Sequence, residues 1–263
     1  MNKTLIKQLN KIEKQEQYLL NDNENKIVNI TPIKNKIEGR IPQKVKTALD
    51  AAFYKGFFIV FDKGTAYIEK TYSKEKAQLE YDINDYAIDK KISNKHIRKI
   101  SRRANYSKMI NSSISVLEGG VLGFLGIGLP DIPLFIAVIM KTIYEIALSY
   151  GYDYKDEKEK AYIMLLICIA VTEDNRQKQF NDDLNKLQNL IDSNGNIELP
   201  LTDYIKMAAD ALSDAMLTAK FIQSIPIIGA VGSIVNYNII NKISKTANIK
   251  YKKRYLINKN KFN

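Results

Sequence analysis

The sequence predicts an all-α fold: a single helical domain with glycine-rich, tightly packed helices, preceded by an amphipathic helix and a linker. Three observations carry this prediction. Apolar residues recur at three- and four-residue steps along most of the 263-residue chain. Strand-like alternation is nearly absent. Glycine, proline and short polar side chains stand where helices would start and stop. No segment repeats with a period of 20–50 residues.

Taken in order, residues 4–20 form an amphipathic helix with Leu5, Leu9, Ile12, Leu19 and Leu20 among Lys, Glu and Gln. Residues 21–41 are polar and Asn-rich, broken by Pro32, with Pro42 just beyond; they read as a linker. The first domain boundary therefore falls between 1–41 and a helical domain over 42–258. From Pro42, the residues Val45, Leu49, Phe53, Phe57 and Val60 follow helical steps. "FFIVF" therefore belongs to a helix rather than a strand. Gly64 breaks or kinks this run. "TAYIEKTYSKEKAQLEYDINDYAI" reads as one further helix, with Tyr67, Ile68, Tyr72 and Leu79 near one face.

Residues 90–108 hold eight Lys or Arg around a thin stripe of Ile92, Ile97 and Ile100. Farther on, Asp131 is placed to cap a helix starting at Ile132, with Pro133 tolerated in its first turn and Gly151 ending it. "KDEKEKAYIMLLICIAVTED" gives another helix, residues 173–200 are polar with a loop at "DSNGNIELP", and 201–221 are helical. In "SIPIIGAVGSIVNYNIINKI", Ser224 can cap, Pro226 sits early, and Gly229 and Gly232 lie three apart on one face. The C-terminal run "KYKKRYLINKNKFN" is basic again.

Residues 118–128 contain five of the twelve glycines. The apolar run 119–130 would extend about 18 Å as a helix, short of a bilayer. Joining it to 132–140 puts Asp131 near mid-membrane, at roughly 3 kcal/mol. Each Gly adds about 1 kcal/mol against a straight helix. Gly119 and Gly123 have the spacing of closely packed helix pairs. Three readings stay open: close packing in a globular core, a re-entrant hairpin, and a true span.

The formal net charge of +11 suits an anionic membrane surface or nucleic acid. The 16 Tyr and 9 Phe do not interleave with the basic runs as a stacking platform for single strands requires, which disfavours nucleic acid. A charged content of 26% argues against a polytopic membrane protein. One cysteine, Cys168, rules out a disulfide framework within the chain and points to a reducing compartment. The N-terminus carries no apolar signal core. The expectation is a cytoplasmic protein, or one attached peripherally to the inner face of the cell membrane, with no cofactor.

One histidine, His96, and one cysteine leave no His/Cys zinc site. His96 reads as a solvated side chain and Cys168 as a small core residue. Asp131 is the leading candidate carboxylate, either as a helix cap or at the mouth of the glycine segment, where it could pair with Arg254. Asn236 is either a core hydrogen-bonding group or part of the same cluster. A basic surface is expected from Lys90, Lys91, Lys95, Arg98, Lys99, Arg102, Arg103, Lys252 and Lys253.

"GGVLGFLGIGLPDIPLFIAVIM…SYGYD", then "SIPIIGAVGSIVN", then "YKKRYL", resembles the EcsC family. The matching positions are Gly123, Gly126, Pro130, Asp131, Pro133, Tyr150, Gly151, Pro226, Gly229, Asn236 and Arg254, within roughly residues 42–257. The resemblance implies a largely helical protein with a membrane-related accessory role. The family's name-giving gene lies beside genes for an ABC transporter linked to secretion and membrane proteolysis. It supplies no catalytic residues. A hydrolase of lipid or protein using Asp131, and a basic nucleic-acid binder, stand as the alternative readings.

Overall fold

The computed structural model describes residues 2–27, 42–106, 131–193, 195–196, 199–222 and 232–261. Among these there is no strand; the chain is all-α. The glycine-rich run before Asp131, together with Pro226 and Gly229, lies outside the described residues.

Helix α1 spans Lys3–Ile27, seven residues farther than its apolar stripe predicts. Leu5 and Ile12 are buried and Leu9, Leu19 and Leu20 pack beside them. α2 spans Gln43–Ile59 and buries Phe53 and Phe57. Gly64 marks a kink, as its position suggested. Val60–Gly64 is a π-helical turn in which the Thr65 amide reaches back to the Val60 carbonyl. Thr65 also donates its hydroxyl to that carbonyl, at 3.1 Å. α3 then covers Thr65–Lys70.

The single helix expected from Thr65 onward is in fact two. The Ser73 side chain accepts the Lys76 amide at 3.1 Å, capping a new helix, α4, over Lys74–Lys90. The break changes the register, so Ile68 is buried whereas Leu79 is exposed. α5 spans Asn94–Tyr106 and turns Ile97 and Ile100 inward.

The core centres on α6 (Asp131–Ser149) and α7 (Glu157–Val171). α6 begins at Asp131 itself, one residue earlier than the capping pattern suggests, with Pro133 in its first turn. Its segment Ile132–Ser149 is the one helix among the described residues apolar and long enough to cross a bilayer, and 83% of it is buried inside the fold. In α7, every residue from Ala161 to Val171 is buried. A helix apolar all round needs cover on all sides. α8 (Asp174–Asp192), α9 (Leu201–Ile222) and α10 (Gly232–Lys261) supply it, while α2, α4, α5 and α10 cover α6.

Two elements extend beyond the sequence reading. The polar stretch after residue 173 forms α8, which buries Phe180, Leu184 and Leu187 at helical spacing. From Gly232 on, the second glycine segment and the basic C-terminal run are one helix, α10, of 30 residues. That is about 45 Å at 1.5 Å per residue, long enough to touch α1, α5, α6, α7 and α9.

α1 packs along α10 through a buried ion pair. Lys250 is 2% exposed and donates to Glu16, 6% exposed, and to Asn181 of α8. Lys253 reaches the second Glu16 oxygen. Burial alone would raise the Glu16 pKa, but the two ammonium groups outweigh it and hold the carboxyl below its ordinary range. Glu16 thus stabilises the fold fully above the ordinary carboxylate pKa, and this contribution is lost as the pH falls through the depressed value. Glu16→Ala strands Lys250 in the interior. It should cost about 3–5 kcal/mol at neutral pH, measured by urea unfolding, with the difference from wild type shrinking in acid.

Candidate functional site

Helix α6 ends in a glycine-dependent corner from which Tyr150 and Tyr152 reach α10 and Tyr154 reaches Tyr144, Glu69 and Tyr72. The Gly151 amide donates to the Leu148 carbonyl at 3.1 Å and the Tyr152 amide to the Ala147 carbonyl at 3.0 Å. This is the paired Schellman closure. Gly151 sits at φ +81°, and a Cβ there would stand 2.3 Å from the Tyr81 ring of α4. Both backbone and space therefore demand glycine.

Tyr150 turns inward and donates to Asn248 of α10 at 2.7 Å. Tyr152 lays its ring 4.1 Å from the Arg254 guanidinium. Tyr154 stacks on Tyr144 with centroids 3.8 Å apart, donates to Glu69 at 2.6 Å and accepts from Tyr72 at 2.7 Å.

Arg254 is 3% exposed and lies among aromatic rings, with Tyr162 5.0 Å away. Its Nη1 donates to Glu159 at 2.8 Å, and Tyr251 donates to the other Glu159 oxygen at 2.7 Å. Arg254 Nε faces Asp192 at 3.8 Å. Burial pushes the Glu159 carboxyl up, against the pull of Arg254 and Tyr251. Burial likewise holds the Tyr162 and Tyr251 phenols far above their ordinary value, so neither serves as a base near neutrality.

On the outer side of this corner lies a cleft of about 500 Å³, walled by Tyr81, Tyr150, Tyr152 and Tyr255, with Asp89, Asn258 and Lys259 also lining it. Tyr255 donates to Asp85 at 2.7 Å, and Lys259 bridges Asp85 and Asp89 at 3.0 and 2.5 Å. Among the described residues, no three His, Cys, Asp or Glu side chains come together as a metal site.

Sequence-chosen residues fall into distinct places. Arg254 takes Glu159 as its carboxylate partner. Asp131 opens α6, whereas Tyr150, just past the other end of that helix, reaches Asn248 and Tyr255 of α10. The 19 residues of α6, about 28 Å long, thus lie between Asp131 and the Arg254 region. Asn236 and Gly232 lie in the first turns of α10. Cys168 is buried, and His96 places Nδ1 2.9 Å from the Lys91 carbonyl oxygen.

The two basic stretches behave differently. Lys90, Lys91, Lys95, Arg98 and Lys99 are exposed, and Arg102 and Arg103 continue α5. The C-terminal run turns much of its charge inward, where Lys250, Lys253 and Arg254 meet Glu16 and Glu159, whereas Lys261 meets Asp192 from an exposed position. Glu16, Glu159 and Lys250 were not singled out from the sequence. The signal was their position on otherwise apolar helical stripes.

The molecule is thus an all-helical domain whose core is tied by buried cation–carboxylate pairs and whose central helix closes on a tyrosine–glycine–tyrosine corner. The chain belongs to the EcsC protein family, whose sequence profile matches residues 5–256, beginning inside α1. It is similar to Protein EcsC of Bacillus subtilis (strain 168), 25% identical over 217 residues that cover 82% of this chain and 80% of that one. It is also similar to the uncharacterized protein YdbA of the same organism, 24% identical over 149 residues, covering 56% of this chain and 54% of the relative. No solved structure matches.

The corner can be tested directly. Left-handed backbone costs a non-glycine residue roughly 1–2 kcal/mol, and the Tyr81 ring must move as well. Gly151→Ala should therefore lower stability by about 2 kcal/mol or more in urea. Adding Tyr81→Ala should remove the steric clash and leave the backbone strain, so that the two effects are not additive.

Proposed function

We propose that this protein is a peripheral accessory protein of the cytoplasmic membrane face that binds anionic lipid, or a membrane partner with an anionic surface, through α5 and its approach. The observation that carries the reading is the outer face of α5. Lys95, Arg98 and Lys99 are exposed, Lys90 and Lys91 precede them, and Asn94–Tyr106 contains no Asp or Glu. Clustered cations near an anionic leaflet contribute about 1 kcal/mol each. The resemblance to EcsC proteins extends the proposal to an ABC transporter, secretion or membrane proteolysis as the setting.

The surface chemistry favours this reading over tight insertion. The one described helix long and apolar enough to cross a bilayer, α6, is committed to internal packing. Contact through α5 is electrostatic and sensitive to salt, because the Debye length falls from about 10 Å at 0.1 M to about 3 Å at 1 M.

Flotation with phosphatidylglycerol vesicles should therefore be strong at low salt, weak at high salt, and absent with phosphatidylcholine alone. Combining Lys95→Glu, Arg98→Glu and Lys99→Glu should reduce partitioning by roughly 100-fold, since three such contacts sum to about 3 kcal/mol and 1.4 kcal/mol is tenfold. Equal flotation of variant and wild type, or no flotation of wild type at low salt, would overturn the proposal.

A further inference from the structure

Helices α1 and α5 meet through a hydrogen bond between side-chain amides: Gln8 Nε2 donates to Asn94 Oδ1 at 2.8 Å. One helical turn beyond Gln8 stands Lys11, and one turn beyond Asn94 stands Arg98. Residues three and four apart share a helix face, so both cations lie on the side that the amide pair joins. Both are exposed. α10 packs against both helices, and its Lys252 lies near enough for the charges of Lys11 and Arg98 to act on its ammonium.

Lys252 differs from its neighbours on α10. Lys250, Lys253, Arg254 and Lys259 each have a carboxylate within ion-pair distance. Among the described residues, none lies that close to Lys252, Lys11 or Arg98. Lys252 is only partly exposed. Burial, and then the positive charges of Lys11 and Arg98, hold its ammonium below the ordinary lysine value. A fold that balances its other inward-turned cations with carboxylates leaves three cations facing one another at this junction.

We infer that the junction of α1, α5 and α10 is a binding site for a phosphate monoester, held by Lys11, Arg98 and Lys252. A monoester phosphate carries close to two negative charges near neutrality, with three terminal acceptor oxygens. Guanidinium presents paired donors to such a group, and each ammonium supplies a compact point charge. A phosphodiester carries a single charge and matches three cations less well. The source of the monoester is either a lipid headgroup or a soluble phosphate. The lipid source rests on the membrane reading above; the soluble one does not.

The test compares wild type with Lys252→Gln and with Lys11→Gln/Lys252→Gln, both of which leave Lys95, Arg98 and Lys99 in place. Vesicles with phosphatidic acid, a monoester, are compared with phosphatidylglycerol, a diester, at matched surface charge. Thermal unfolding is followed with inorganic phosphate against chloride at equal ionic strength. Wild type should prefer phosphatidic acid by tenfold or more, and inorganic phosphate should raise its Tm. Both effects should be lost in the variants. Without phosphate, Lys252→Gln should melt no lower than wild type, because it relieves like-charge repulsion, and this separates loss of binding from loss of folding.

Equal binding of the two lipids, with no phosphate-induced rise in Tm, overturns the site and leaves general anionic attraction standing. A phosphate-induced Tm rise that Lys252→Gln abolishes, with no vesicle binding, supports the site with a soluble source and overturns the membrane reading. A phosphate response unchanged in both variants overturns the assignment to these residues.

Discussion

The structure depends on how α10 handles the positive charge on its inner face. Ile243, Ala247, Lys250, Tyr251 and Arg254 are buried along one stripe, so an ammonium and a guanidinium occupy places where apolar side chains would be expected. Removing such groups from water costs several kcal/mol each unless charge and hydrogen bonds replace the water. Glu16 answers Lys250 from α1, and Glu159 answers Arg254 from α7. These two pairs join α1 to α10 and α10 to α7.

The same interactions divide the protein's charge. Much of the C-terminal basic run is internal and balanced. α5 and its approach keep their charge exposed, and Asn94–Tyr106 carries no acidic residue. A count of lysines and arginines merges these two populations, whereas burial separates them. The cleft beside Gly151 adds a second surface feature, with aromatic walls and with Lys259 already engaged by Asp85 and Asp89.

The helical class, the role of Gly151 and the burial of Cys168 were legible because each rests on local pattern. The glycine had to follow a long apolar helix, and the cysteine sat inside a continuous apolar run. The split at Ser73 was harder to see. Its signal is one side-chain oxygen against a periodicity that runs straight through it. α8 was obscured by its polarity, since Phe180, Leu184 and Leu187 are few among charged and amide residues. The partner of Arg254 was not legible at all. Glu159 lies 95 residues away in sequence, and only the packing of α7 against α10 brings the two together. Glu16 and Lys250 did leave a trace, as charged residues at positions where a helical stripe is otherwise apolar.

The pairing of Glu16 with Lys250 also shapes the order of assembly. The two residues are 234 positions apart, and closing so long a loop comes late when folding proceeds from local contacts outward. During synthesis α1 emerges early, with Leu5 and Ile12 uncovered and its inward carboxylate unanswered, and it waits until α10 leaves the ribosome. The nascent chain therefore carries an amphipathic helix whose main packing partner, α10, is still missing after α5 and α8 have been made, a natural substrate for chaperones that hold exposed apolar segments.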